Sequence, residues 1–304
     1  MICLFVCSFS QQIDKHLKKI GPKFQPPQIP NIDFLYTINL DQRKDKWEKI
    51  KTDFQRYGLE LFRFSAIYGW HYSLEDFQDL GIIYGPGMWE KDDFPVNYNG
   101  YVLIDPRTTA HPDTGEYHRL GSQFYGKNIF SVSMKGGAIG CTMSHLSVLQ
   151  DALDSGYRTI WVMEDDIVPT EDPRILGDWI DRLDQLVGPE GWDILYTNFT
   201  HHFKAKSDVD WIWRPDIAID HTRLLKFVDL GDFIQINGRP GTYSMIIRQS
   251  GMEKILGFLK RHGLFSPFDM ELSTVPDLKL FNMKRNVITV DMEISDTVRQ
   301  VFQN

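Results

Sequence analysis

The sequence predicts an α/β fold built on a mostly parallel central sheet. Short apolar runs rich in strand formers recur along the chain, and segments with helical spacing separate them. The runs are near-continuously apolar, which suits strands covered on both faces. Strands alternating with helices imply parallel neighbours joined by right-handed crossovers. At 304 residues the chain accommodates one large domain or two small ones.

Residues 1–33 read as an N-terminal appendage ending in a linker, because four prolines between 21 and 33 forbid a helix or a central strand. The main domain is expected over 34–304. Phe34 to Leu40 reads as a strand buried on both faces. Asp41 is placed to cap a helix over 42–57, where Trp47, Ile50 and Phe54 share helical spacing and Gly58 supplies the stop. Leu61 to Ala66 reads as the second strand. Residues 69–136 are rich in Gly, Pro, Tyr and Asp with poor periodicity, so an irregular insertion that contributes to a binding cleft is expected. Its aromatics include Tyr84, Trp89, Tyr98 and Tyr101. Leu146, Leu149, Ala152 and Leu153 define a helix over Ser144 to Ser155, ended by Gly156. Thr159 to Met163, Trp192 to Thr197 and Thr242 to Ile247 read as further strands. Ser250 is placed to cap a helix holding Ile255, Leu256 and Leu259.

Composition narrows the function. Hydrophobic residues at 42% and charged residues at 24% are ordinary for a folded globular protein. A net charge of −8, with no basic run longer than His16-Leu17-Lys18-Lys19, argues against nucleic acid and against a polybasic membrane patch. Three cysteines, Cys3, Cys7 and Cys141, suit neither a disulfide framework nor a zinc motif and point to a reducing compartment. No apolar run approaches the roughly 20 residues of a membrane span. The apolar start, residues 1–7, lacks the basic lead of a secretory signal, so a buried strand or ragged tail is expected there, with a shortened signal as the alternative. The expected location is the cytoplasm, with peripheral attachment to a membrane allowed; the secretory-pathway lumen is the alternative.

Glu164-Asp165-Asp166 follows a buried strand directly, and in open α/β sheets ligands bind beyond the carboxyl ends of the strands. At about 5 Å and an effective dielectric of about 20, each like-charge pair repels by roughly 3 kcal/mol. A divalent cation removes that cost, and oxygen ligands favour Mg²⁺ or Mn²⁺. Such a cation also bridges to a diphosphate leaving group. Taken alone, the triplet fits a solvated acidic turn or a cap better than a metal site, because acidic triplets are common. Lys135-Gly136-Gly137-Ala138-Ile139-Gly140 precedes a helix, where glycines allow close backbone approach and the N-terminus favours anions, though it matches neither a P-loop nor a dinucleotide fingerprint. His145 in the first turn would touch phosphate or sugar, or be structural. Asp269 is a lone late carboxylate, or a cap.

In this order, these features resemble glycosyltransferase family 25, which contains bacterial lipooligosaccharide galactosyltransferases and collagen galactosyltransferases. The family's opening I-N-L motif stands as Ile38 to Lys46, and the end of the second strand as Ser65 to Gly69. Its G-E-I-G-C-x-x-S-H is Gly137 to His145, its L-E-D-D is Met163 to Asp166, and its late P-I-D is Pro267-Phe268-Asp269. Gln42, Lys46, Ala138 and Phe268 depart from the family pattern. The resemblance covers roughly residues 34–296 and implies an A-type, Rossmann-like glycosyltransferase fold. It also implies inverting transfer of a sugar, often galactose, from a UDP-sugar to a glycan, lipooligosaccharide or glycoprotein acceptor, as in lipopolysaccharide biosynthesis. By resemblance Asn39, Leu40, Arg43 and Ala66 surround the nucleotide, and Asp165 and Asp166 carry metal and diphosphate with Glu164 supporting. The base that takes the acceptor proton is expected at Asp269, with Asp193 second.

Two other classes compete. A glycoside hydrolase needs two acids flanking one bond, which adjacent Asp165 and Asp166 cannot do. A catalytically silent carbohydrate- or nucleotide-binding protein has no need of the triplet.

Overall fold

A computed structural model describes residues 12–88, 122, 125–131, 133–199, 202–210 and 212–291, and the backbone of strands at 101–103 and 117–119. Cys3, Cys7, Trp89 and Tyr98 lie outside the described residues, as do the apolar start and residues 292–304; of Tyr101 only the backbone is described.

The strands in chain order are β1 (Phe34–Asn39), β2 (Phe62–Ser65), β3 (Ile82–Ile83), β4 (Tyr101–Leu103), β5 (Tyr117–Arg119), β6 (Asn128–Ser131), β7 (Thr159–Glu164), β8 (Ile167–Pro169), β9 (Ile194–Tyr196), β10 (Val228–Asp229), β11 (Phe233–Ile236), β12 (Ser244–Arg248), β13 (Leu280–Met283) and β14 (Ile288–Val290). The α-helices are α1 (Gln12–His16), α2 (Lys44–Gln55), α3 (Leu74–Leu80), α4 (Gly136–Asp154), α5 (Leu176–Val187), α6 (His221–Leu224), α7 (Gln249–His262) and α8 (Phe268–Thr274).

Eight strands form the central sheet in the order β10-β11-β13-β9-β12-β7-β1-β2. Six of them run one way and β11 and β12 run the other, so the sheet is mostly parallel with two reversals. Side chains alternate between two apolar layers, as the two-residue period of a strand requires. Phe34, Tyr36, Ile38, Ile160, Val162, Ile194 and Ile247 face Met143, Leu146 and Leu149 of α4 and Met252, Ile255 and Leu259 of α7. Leu35, Trp161, Met163, Leu195 and Ile246 face Ile50 and Phe54 of α2 and Leu176, Ile180 and Leu183 of α5. Two covered faces explain why these strands read as continuous apolar runs.

The chain leaves β1 for β2 on one side and returns to β7 on the other. The carboxyl ends of β1 and β7 therefore flank a topological switch point, where open sheets leave a crevice. The turn after β7 is tied down by the β8–β14 ribbon, and the Asp291 N–H donates to the Asp166 carbonyl at 2.7 Å.

Between Gly69 and Gly136 the described residues hold more order than the periodicity suggests. Ser73 and Asp76 form a capping box that starts α3, and β3, β6, β4 and β5 form a second, antiparallel sheet. The Pro-rich stretch lies against the main body: Ile29 and Ile32 are buried in the α2/α5 layer, and Ile13 of α1 in the other. Two expected caps are absent. Asp41 instead accepts from Arg63 at 3.0 Å and Ser65 Oγ at 2.8 Å, and Ser250 Oγ donates to Asp193 at 2.6 Å. Both helices start elsewhere: Arg43 precedes α2, two residues after Asp41, and Arg248 precedes α7, which leaves Ser250 inside the helix.

Candidate active site

A cleft of about 70 Å³ opens at the switch point. Leu40 and Ala66 extend β1 and β2 into its wall, and Ile67, Tyr68, Gly69 and Trp70 continue it. Gly137 and Cys141 of α4 close one side, Lys46 of α2 another, and Glu164, Asp165 and Asp166 form the acidic end.

The three carboxylates are held differently. Glu164 Oε1 accepts from Thr242 Oγ1 at 2.8 Å and lies 3.3 Å from His145 Nε2. Burial would raise its carboxyl, but the His145 and Thr242 contacts outweigh that and keep it below the ordinary carboxylate range. Asp165 Oδ2 accepts from Asn39 Nδ2 at 2.6 Å, and its Oδ1 lies 3.8 Å from the Lys46 ammonium. Asn39 is itself fixed, donating to the Arg43 carbonyl at 2.9 Å and accepting from Arg63 Nε at 2.6 Å. Burial first, then the charges of Glu164 and Asp165, push the Asp166 carboxyl up to about 7. Its Oδ1 is buried with no hydrogen-bond partner. A buried carboxylate oxygen without a donor, beside two further carboxylates, fits a hard divalent cation.

Cys141, His145 and Glu164 also bring three donor atoms within 4.8 Å of one another. Sulfur, nitrogen and oxygen together suit a softer ion. Burial and the surrounding carboxylates of Glu164, Asp269, Asp166 and Asp165 push the Cys141 thiol well above its ordinary range. His145 Nδ1 also lacks the second partner that orients a ligating histidine. The oxygen set is the better seat.

The helix bearing His145 begins at Gly136, eight residues before the expected start, so His145 sits in its third turn. It is fully buried, stacks on Phe268 at 4.6 Å and does not line the cleft. The glycines before it serve packing. A Cβ on Gly140 would lie 2.4 Å from the Ile67 carbonyl oxygen, and one on Gly69 2.1 Å from that of Gly136. The chain after β2 thus crosses α4 at backbone contact.

Asp269 is the second residue of α8. Its Oδ2 accepts from the Gly241 N–H at 2.8 Å and its Oδ1 from the Met270 N–H at 3.0 Å. Burial raises its carboxyl, and the Glu164 charge adds to the rise. Asp193 lies at the opposite end of the sheet, since it precedes β9 and its carbonyl accepts from the Arg248 N–H, where Arg248 is in register with Thr159. Ser250, Lys254 and the Lys279 N–H satisfy its carboxylate. The fold thus brings Leu40, Ala66, Glu164, Asp165 and Asp166 to one cleft, ties the buried Asn39 to Asp165, leaves Asp269 off the lining, and separates Asp193 from them. Arg43 is turned toward Asp45, with Nε 3.2 Å from Oδ1, and does not line the cleft. The cation at the cleft is Lys46, in the first turn of α2, where a side chain reaches back toward the end of β1; that position was the available signal. Thr242 left no such signal, because its role depends on how β12 pairs.

A mostly parallel α/β sheet with a carboxylate-tipped cleft at its switch point defines the class of α/β proteins that bind ligands beyond their strand ends. The model of "Glycosyltransferase family 25 (LPS biosynthesis protein)" matches residues 32–270, and the chain belongs to that family. Among similar proteins, a "Glycosyltransferase 25 family member" of Aedes aegypti is 24% identical over 200 residues, covering 66% of this chain and 26% of that protein. One of Anopheles gambiae is 25% identical over 189 residues, covering 62% and 25%. One of Drosophila pseudoobscura pseudoobscura is 22% identical over 182 residues, covering 59% and 23%. The matched stretch spans about a quarter of each relative's length. Among the described residues no helix is long and apolar enough to cross a membrane.

Proposed function

We propose that the chain is an inverting, metal-assisted glycosyltransferase. It moves a sugar, galactose by family resemblance, from a UDP-sugar to a hydroxyl of a glycan or glycoconjugate acceptor. The observation that carries this reading is the partnerless buried oxygen of Asp166 beside Asp165 in the switch-point cleft. Mn²⁺ or Mg²⁺ held by Asp165 and Asp166 would neutralise the diphosphate as it leaves. Glu164, engaged by Thr242 and His145, supports them. Lys46 adds a positive charge to a cleft that must receive an anion. Asn39 holds Asp165 in place, and Leu40 and Ala66 shape the wall where the nucleoside would lie.

Asp269 is the candidate base. Burial raises its affinity for a proton, which suits a group that must take one from the acceptor hydroxyl. Asp193, at the far end of the sheet, is not carried forward in that role. The 69–136 segment follows the cleft wall and would shape the acceptor side.

The test is a donor screen: UDP-sugars are incubated with the protein and Mn²⁺, and UDP release is measured with and without glycan acceptors. One donor should release UDP slowly alone and faster with acceptor. No release from any UDP-sugar, with UDP binding retained, would favour a silent binding protein.

A further inference from the structure

One loop touches both Glu164, at the acidic end of the cleft, and Asp269, off its lining. Residues 237–243 connect β11 to β12. Thr242 Oγ1 donates to Glu164 Oε1 at 2.8 Å, and the N–H of the preceding Gly241 donates to Asp269 Oδ2 at 2.8 Å. The Tyr243 carbonyl accepts the Glu164 N–H at 2.8 Å. Glu164 ends β7 and Asp269 opens α8, far apart in sequence, yet their partners are consecutive residues, whose Cα atoms lie about 3.8 Å apart. Gly241 has φ +83°, a conformation glycine adopts freely.

The loop has its own anchor. Arg239 is almost wholly buried, and its guanidinium lies 4.3 Å over the Tyr196 ring. Its Nη1 donates to the Asn198 carbonyl and to Asn282 Oδ1, each at 3.1 Å, so the loop is pinned to the ends of β9 and β13.

We propose that Thr242 and Gly241 are positioning residues that clamp Glu164 and Asp269 at a fixed separation, with Arg239 as the anchor of the clamp. The proposal rests on the transferase reading, in which one carboxylate supports the leaving-group side and the other serves the acceptor. The torsion that orients a Glu carboxylate is soft and roughly two-fold. Without Thr242, Glu164 Oε1 retains only His145 at 3.3 Å, and its orientation is no longer determined. Misplacement by about 1 Å in such a site costs on the order of 10²-fold in rate.

Thr242→Val keeps the shape and removes the donor; Thr242→Ser keeps the donor. For each variant kcat, donor KM, calorimetric UDP affinity in Mn²⁺ and Tm are measured. Val should lower kcat by about 10- to 100-fold with UDP affinity and Tm close to the parent protein, and Ser should restore most of kcat. Full activity in the Val variant, a Ser variant no better than Val, or a UDP affinity that falls in step with kcat would overturn the positioning role. The anchor is tested without turnover, by hydrogen exchange of the Gly241 amide. It should exchange slowly in the parent protein and much faster in Arg239→Gln; equal exchange overturns the clamp. A parent protein inactive toward every UDP-sugar overturns the transferase reading instead, and the exchange result alone then decides the clamp.

Discussion

Asp166 offers a test that needs no substrate. Its folded-state carboxyl titrates near 7, against an ordinary value of 3.8 in the unfolded chain. The folded protein therefore binds this proton more tightly. The stability it contributes is fully present below about pH 4 and is lost as pH rises through 7. At about 1.4 kcal/mol per tenfold change in proton affinity, the loss is on the order of 4 kcal/mol. Asp166→Asn lacks that titration. Without divalent cation, urea melts should show the variant gaining on the parent protein between pH 4 and pH 8, and Mn²⁺ should stabilise only the parent. A pH-independent difference would sink the assignment. At Asp269 the expected outcome is kinetic: Asp269→Asn should reduce transfer by about 10²- to 10⁴-fold while metal-dependent UDP binding, read by calorimetry, persists. Near-normal transfer would remove Asp269 as the base. The acidic triplet was legible because strand direction alone sets it at a carboxyl end. Asp193 stood second in the expected strand Trp192 to Thr197; in the structure β9 starts at Ile194, so Asp193 precedes it and falls at the other end. Lys46 was signalled only by its place in the first turn after β1, and Thr242 was hidden because strand pairing, rather than residue type, delivers it to the site.

Elements were read well in their interiors and poorly at their ends. The apolar face of α4 was visible from Leu146 onward, but in its first two turns only Ile139 and Met143 continue it, among glycines packed against the chain after β2. That packing yields a paired prediction. In Gly140→Ala the new Cβ would meet the Ile67 carbonyl oxygen at 2.4 Å and the Gly69 nitrogen at 2.5 Å, all backbone. Overpacking of this kind costs about 1–3 kcal/mol, and because Ile67 and Gly69 line the cleft, UDP affinity should fall with it. Gly257 of α7 has nothing within 4 Å of its would-be Cβ. There Gly257→Ala should stabilise by roughly 0.5–1 kcal/mol, as alanine does in helix interiors, with binding unchanged. Denaturant midpoints of the two variants should move in opposite directions; a shift in the same direction would contradict the backbone contact at Gly140. The α3 capping box was missed because it opens a helix of only seven residues inside a stretch otherwise lacking periodicity.

At the scale of the whole molecule, β1, β2, β7, β9 and β12 were legible as strands, β10, β11 and β13 were not, and which neighbours run antiparallel was not. A strand buried on both faces reads the same in either direction, so the reversal of β12 between β7 and β9 left no mark in its apolar run. The reversal matters because it delivers the start of β12, with Thr242 and Tyr243 just before it, to the carboxyl ends of β7 and β9. The acidic tip is thereby braced by β1 through Asn39, by α4 through His145, and by the β12 approach through Thr242. A ligand seated there would couple these elements and stabilise the fold as a unit. Binding to the folded state alone adds about 2.7 kcal/mol at 100 times Kd. With an unfolding entropy of about 2.1 cal/mol/K per residue over 304 residues, that is a rise in Tm of roughly 4 °C. The acidic end repels UDP by itself, and a cation alone leaves the diphosphate position empty, so the full shift should require Mn²⁺ and UDP together, with Mn²⁺ alone giving only the smaller shift set by the carboxylates. Thermal melts with each alone, with both, and with both plus EDTA check this. An equal shift from UDP in EDTA would place the diphosphate away from Asp165 and Asp166, and against Lys46 alone.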